Sequence, residues 1–295
     1  MQHDAIRLRL GCEFRYASEF AVPMVMLVRP MPRPDVQMVY ESRWLEPDVP
    51  LHEYVDGFGN VCWRFTTPPG SLTVRYDAVV EVERSPDPVS RDAAQVTVED
   101  LPDDTLVFTL PSRFIESDLL LDTAWELFGQ TPPTWDRVQA ICDWVHENLR
   151  YEMGSTGPTT SAMDVYKSRV GVCRDFALLP VAFCRALNIP ARYAFGYLPD
   201  IDVEPPDVAM DFHAWFEAFL GGRWYAFDAR HNQPRVGRVV IGRGRDVADV
   251  ALSTSYGVTR LDSMTVWAEE SSDNPVPQPD ADTLEALEPV EHGAG

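Results

Sequence analysis

The chain lacks the marks of several protein classes. Its five cysteines are widely separated and none forms a CxxC pair, so neither a structural zinc site nor a disulfide framework is expected, and at least one thiol stays unpaired. Reduced thiols fit a reducing compartment. No apolar run approaches the ~20 residues of a membrane-spanning helix. The opening Met1-Gln2-His3-Asp4-Ala5-Ile6-Arg7 has no basic-then-apolar pattern of a secretion signal. These absences predict a cytoplasmic protein with no membrane partner. Positive charge is scarce too: 25 Lys and Arg stand against 46 Asp and Glu, a formal net charge of −21. Such a surface repels phosphate backbones, which disfavours nucleic acid as a partner and mildly favours neutral or basic substrates.

What is present suits a globular fold. The 295 residues are 45% hydrophobic and 24% charged, enough to bury a sizeable core in one large or two ordinary domains. Residues 6–16 place Ile6, Leu8, Leu10, Cys12, Phe14 and Tyr16 on one face and Arg7, Arg9, Glu13 and Arg15 on the other, the period of a half-buried strand. Leu72 to Val82 repeats this alternation, and Val61, Trp63 and Phe65 form a shorter run. Turn formers at Asp56–Asn60 and Pro68–Gly70 separate them, as in antiparallel structure. Residues 1–110 are therefore expected to form an N-terminal antiparallel β-sandwich, with Cys12 and Cys62 as core or sheet-face residues.

After a polar, proline-bearing stretch at 86–104, the pattern turns helical over Glu116–Phe128 and Trp135–Arg150. The second of these carries an apolar stripe of Val138, Ile141, Val145 and Leu149, with Thr134 as its N-cap. Cys142 and His146 lie beside the stripe, four residues apart, without a third ligand or an orienting acid. At the far end, residues 269–295 hold eight acidic residues, no Lys or Arg and no sustained periodicity. They are expected to form a disordered acidic tail.

The chemistry concentrates in two segments. Gly171 to Leu179 opens an amphipathic helix that runs to about Leu187, with Asn188 where a left-handed cap belongs. Cys173 falls on its first turn, where the positive end of the helix favours the thiolate and free backbone N–H groups are placed to hold an oxyanion. A thiol nucleophile needs a base that titrates near neutrality, and imidazole supplies it. Asp211 to Asp228 reads as a hairpin about Gly221-Gly222. Pairing Leu220 with Arg223 sets Trp215 opposite Asp228 and His213 opposite Arg230, so all four share one sheet face, with His213 diagonal to Asp228. An acid there fixes the imidazole tautomer and stabilises imidazolium, completing a Cys, His, Asp triad.

These blocks resemble the transglutaminase-like core of bacterial proteins, on Gly171-Val172-Cys173-Arg174-Asp175-Phe176, Cys184 to Tyr193, His213-Ala214-Trp215 and Trp224-Tyr225-Ala226-Phe227-Asp228. The likeness spans about residues 131–260, and the β-rich start is similar to the domain that precedes this core in bacterial members. It implies an α+β fold, the sandwich followed by a papain-like catalytic core over residues 111–268. It also implies Cys173 as nucleophile, His213 as general base then acid, and Asp228 as orienting acid. No metal and no cofactor are implied. Where many members follow the acid with Pro-Thr, this chain has Ala229-Arg230-His231-Asn232, which makes Arg230 a candidate substrate contact. Trp215 is a second such candidate, and Tyr166 a candidate donor to the oxyanion. Leu178 stands where the family often has His. The expected reaction is attack on a peptide, protein or small amide substrate, with the acyl-thioester resolved by water. A transamidase or acyltransferase using an amine acceptor, and a non-catalytic peptide-binding scaffold, are the alternatives.

Overall fold

In the computed structural model, which describes residues 5–205 and 208–271, the alternating N-terminal run is strand β1 (Ala5–Ser18). Its six alternating apolar residues are at most 6% exposed. There follow β2 (Val22–Met26), β3 (Val36–Glu46), β4 (His52–Val55), β5 (Val61–Thr67) and β6 (Gly70–Glu83). The second half holds α1 (Leu121–Phe128), α2 (Trp135–Asn148), β7 (Arg150–Tyr151), α3 (Ala162–Ser168), β8 (Val170–Gly171) and α4 (Cys173–Ala186). It continues with β9 (Ala191–Tyr197), β10 (His213–Leu220), β11 (Arg223–Phe227), β12 (Val239–Gly244), β13 (Ser253–Ser255) and β14 (Arg260–Glu270). The fold is α+β. No helix among the described residues is long and apolar enough to cross a membrane. Of the acidic tail expected over 269–295, Glu269 and Glu270 instead belong to β14, paired with Arg9 and Leu8, and the stretch from position 272 onward lies outside the described residues.

Two four-stranded antiparallel sheets, ordered β14-β1-β6-β3 and β13-β2-β5-β4, make the sandwich. Their inner faces meet where Trp63 of β5 stands edge-on to Tyr76 of β6 at 5.6 Å between ring centroids. Cys12 and Cys62 are both buried in this core. The chain returns to the first sheet at its end: β14 pairs with β1 from Leu8 opposite Glu270 to Ala17 opposite Arg260. Residues 260–268, grouped by sequence with the second domain, thus hydrogen-bond to the first. The pattern concealed this because only Val266 and Ala268 of β14 are buried. Gly11 permits the closure. A Cβ at that position would lie 2.2 Å from the Tyr76 carbonyl oxygen and 2.5 Å from the Trp267 ring, so any side chain would displace the indole that covers β1.

Helix α1 begins at Leu121 instead of Glu116. The Glu116 carboxylate accepts the Met163 amide of α3 at 3.3 Å, a tertiary bond that competes with the helical path. Helix α2 starts as expected, the Thr134 hydroxyl accepting the Asp136 N–H. Helix α4 is buried from Asp175 to Ala186, so it serves as the spine of the second half. One side meets α1, α2 and α3, and the other meets β9 and β10 of a sheet ordered β11-β10-β9-β12. Along β10 the side chains divide by parity. Ala214, Phe216, Ala218 and Leu220 join the core that contains α4, while Trp215 packs with Met31, Ala194 and Val240 on the other face. The Tyr197 hydroxyl at the end of β9 donates to the Val28 carbonyl at 2.9 Å, which ties this sheet to the sandwich.

Arg185 shows how the layers are fastened. Its guanidinium, 2% exposed, donates to the carbonyls of Ala191 (2.9 and 3.0 Å), Leu110 (2.9 Å) and Arg245 (2.6 Å). Two distant segments and the start of β9 thereby close around the C-terminal turn of α4. Replacing Arg185 with Met keeps much of the volume but orphans these acceptors. The expected cost is about 2–3 kcal/mol, seen as a fall in Tm of about 5 °C or more by scanning calorimetry.

Candidate active site

Cys173 is the first residue of α4, and a buried carboxylate fixes where that helix begins. Asp175, 0% exposed, accepts the Val172 N–H at 2.9 Å, the Thr156 hydroxyl at 2.6 Å and the neighbouring Arg174 guanidinium at 3.0 Å. The amides of Asp175 and Phe176 both bond the Val172 carbonyl. Of the first-turn N–H groups, that of Arg174 is directed at the Cys173 sulfur. The sulfur also lies 4.0 Å from the Phe212 carbonyl oxygen and meets the Ala214 N–H. The half-buried thiol is thus seated on the backbone on both sides of His213.

The hairpin has the register its turn requires: Leu220 pairs with Arg223 and Phe216 with Phe227. Gly221 and Gly222 have φ of +55° and +87°, the two left-handed residues of a tight type I′ connection. Strand β11 ends at Phe227, and Asp228 follows on the His213 side. His213 Nε2 lies 2.7 Å from Asp228 Oδ2. A carboxylate only accepts, so Nε2 carries the proton and Nδ1 is left to exchange one.

Asp228 has further partners. Its Oδ1 accepts the backbone N–H of Arg230 at 3.2 Å and of His231 at 3.3 Å. Its Oδ2 also meets His231 Nδ1 at 3.1 Å and Arg238 Nη2 at 3.5 Å. Arg238 is held 2.9 Å from Asp87, in the linker after the sandwich, and its guanidinium lies 4.5 Å from the centre of the Trp215 ring. His146, noted in sequence beside Cys142, donates through Nδ1 to the carbonyls of Ala229 and Arg230 at 3.1 and 3.0 Å. It thereby fastens the loop behind Asp228. Cys142 is buried on the same helix.

Burial alone would raise the Asp228 pKa, but His213, His231 and Arg238 outweigh it and hold the group well below the usual carboxylate range. Burial pulls His213 below the ordinary imidazole value, against the opposing pull of Asp228. Burial pushes the Cys173 thiol up to about 11, the Ala214 N–H acting the other way. Burial thus opposes the field of the helix N-terminus, which favours the thiolate. Desolvation of the sulfur exceeds the field of the first turn, and the resting pair is a neutral thiol beside a neutral imidazole.

The structure joins His213 to Asp228, seats the Cys173 sulfur against the backbone on both sides of His213, and sorts the other candidates. Arg230 is close enough to Cys173 to favour its thiolate, and its guanidinium packs 3.2 Å from the centre of the Tyr151 ring. Asp211 opposes that influence. Trp215 is 1% exposed, stacked 6.4 Å from His213 beneath Arg238, so it is a wall of the site and not a surface that meets substrate. Tyr166 is stacked 6.1 Å from Trp144 and stands edge-on to Phe183, with the Arg169 guanidinium over its ring. Phe183 is ten residues along α4 from Cys173, a rise of about 15 Å. Tyr166 is therefore a packing residue. Sequence reasoning passed over His231, whose signal was its place three residues after Asp228. It also passed over Arg238 and Asp87, which carry no local signal.

Residues 123–229 match the core of the transglutaminase-like superfamily. An uncharacterized protein of Mycobacterium leprae is 31% identical over 229 residues, 73% of this chain and 81% of its own. An uncharacterized protein of Mycobacterium tuberculosis strain H37Rv is 31% identical over 217 residues, 66% of this chain and 68% of its own. The crystal structure of a candidate cysteine protease from Cytophaga hutchinsonii superposes with a TM-score of 0.83 at 32% identity, covering 94% of each chain. The chain belongs to the transglutaminase-like superfamily. Its transglutaminase-like core segment, 123–229, contains Cys173, His213 and Asp228 but stops short of His231 and Arg238 and starts after Asp87. The outer support of the carboxylate thus comes from beyond the matched core.

Acid should act on this site in two windows. His213 has a depressed folded pKa, so from about pH 6.5 downward the unfolded chain binds the extra proton first and stability falls. Asp228 is also depressed, so its contribution is intact above about pH 4 and is lost as pH drops toward its folded value. Calorimetric Tm measured across both windows is expected to decline in each. Asp228→Asn should flatten the lower decline relative to the parent protein, and His213→Gln the upper.

Proposed function

We propose that this chain is a thiol-dependent acyl-transfer enzyme that cleaves a peptide, protein or small amide bond through an acyl-thioester on Cys173. The observation that carries the reading is the seating of the Cys173 sulfur on the backbone either side of His213, whose Nε2 is bonded to a buried, ionised Asp228 at 2.7 Å. Membership of the transglutaminase-like superfamily and the likeness to a candidate cysteine protease support it.

Each step follows from a group in place. His213 Nδ1 takes the thiol proton as the sulfur attacks the carbonyl carbon, and the carboxylate stabilises the imidazolium that forms. A thiol with a pKa pushed up to about 11 is weakly ionised alone, so proton removal accompanies attack instead of preceding it. The Arg174 N–H, already at the sulfur, is positioned for the oxyanion. Imidazolium then protonates the leaving amine. Water, always present, resolves the thioester with His213 as base again. The five free thiols support a reducing compartment, the cytoplasm, as the place of action.

The test is turnover of casein and a fluorogenic peptide library, run with and without a fluorescent alkylamine. Cys173→Ala is expected to abolish release, and Asp228→Asn to lower kcat/KM by about 10²–10⁴-fold. The acid limb of the kcat/KM profile should fall below the ~6.5 of free imidazole, because deprotonated His213 persists to lower pH. Loss of activity in Cys142→Ala or Cys184→Ala with Cys173→Ala unaffected would refute the assignment. Incorporation of the fluorescent alkylamine into casein or the peptide in place of hydrolysis would reassign the second half-reaction to transamidation.

A further inference from the structure

We infer that His213, Asp228 and His231 together form a site for a divalent transition-metal ion, zinc above all, and that an ion bound there switches off the base of the neighbouring thiol. The binding claim stands on geometry alone; only its inhibitory consequence rests on the proposed role of His213.

The donor atoms are His213 Nε2, Asp228 Oδ2 and one ring nitrogen of His231, all within 4.8 Å of one another. The two nitrogens lie 2.7 and 3.1 Å from the shared oxygen. Donors around a tetrahedral zinc with bonds of about 2.0–2.1 Å sit roughly 3.3 Å apart. The nitrogen-to-oxygen separations therefore need to open by a few tenths of an ångström while the two imidazoles rotate toward each other. Their rings are already 4.6 Å apart between centroids. Two imidazoles and a carboxylate form a donor set that suits zinc and leaves a fourth position open. His231 is the entrance: its side chain is 28% exposed, against 10% for His213 and 3% for Asp228. Arg238 is the opposing cation, 3.5 Å from the Asp228 oxygen, but it lies closer to Asp87, at 2.9 Å. Asp87 offsets its charge and leaves that of Asp228 for the ion.

The consequence follows from proton positions. A carboxylate accepts only, so the hydrogen bonds seen here place protons on His213 Nε2 and His231 Nδ1. An ion needs the lone pairs of those nitrogens. Each ring must then carry its proton on the other nitrogen, which for His213 is Nδ1. An Nδ1 that already bears a proton cannot accept the one on Cys173. Metal binding and base function are therefore mutually exclusive, and a chelator restores the base without any covalent change.

Sulfur is the rival ligand, and the test removes it first. Zinc chloride is titrated against a chromophoric chelator with Cys173→Ala and with Cys173→Ala/His231→Ala, and cobalt absorption spectra of the parent protein report the donor types. Thermal melts of each metal-free variant check folding, and His231→Gln serves as a second, polar replacement. The expected result is one ion per chain in Cys173→Ala, bound at least about tenfold more weakly once His231 is replaced, with no sulfur-to-cobalt charge-transfer band. Binding that vanishes in Cys173→Ala, binding equally tight without His231, or no saturable binding at all would each overturn the site. If zinc binds as expected but a catalytic role for His213 fails its own tests, the site stands and only the inhibition is withdrawn.

Discussion

Taking an ionised carboxylate out of water costs several kcal/mol before any partner is counted, and Asp228 is 6% exposed. The architecture around it is best understood as the set of groups that offsets this cost. Backbone N–H groups of Arg230 and His231 take one oxygen, while His213, His231 and Arg238 crowd the other. Each partner in turn constrains an element. The hairpin register positions His213, the loop held by His146 positions His231, and Asp87 in the linker positions Arg238. A charge that must be satisfied from four directions thus connects the sandwich linker, the second helix and the sheet that carries His213.

The sulfur is governed by the opposite balance. Arg230 favours the thiolate but does not offset its desolvation, so burial keeps the thiol neutral in spite of the helix N-terminus. The macrodipole is worth about 0.3–1 kcal/mol at an exposed helix end. Raising a thiol by about two units corresponds to roughly 3 kcal/mol, so desolvation wins. The sulfur is therefore held as a protonated thiol against the backbone on both sides of His213.

Between these two groups lies packing. Ala177, Leu178, Leu179 and Val181 to Cys184 of α4 are at most 1% exposed, and the core runs without a break from the sandwich through Tyr197 to the helix layer. The helix therefore cannot slide along β10 without opening that core, and the sulfur keeps its place beside the strand. Close-packed interiors transmit position in this way because voids and overlaps are both costly.

Local chemistry made much of this legible in the sequence. Period-two alternation marked β1, β5 and β6. Gly221-Gly222 set the hairpin register and so the face shared by His213 and Asp228, because side-chain parity in a strand follows from counting. Cys173 at a helix start was equally local. Strands β2, β3 and β14 escaped because Pro23 interrupts the first and the other two are largely solvated, which erases the alternation. Burial of Trp215, packing of Tyr166, the neutral resting thiol and the convergence of His231, Arg238 and Asp87 on one carboxylate were decided only by the tertiary structure. Solvent exclusion and contacts such as that between Asp87 and Arg238, 151 residues apart, depend on which distant segments pack together. The sequence determined which residue types stood on which faces; the fold decided which of those faces meet, and how much water is left between them.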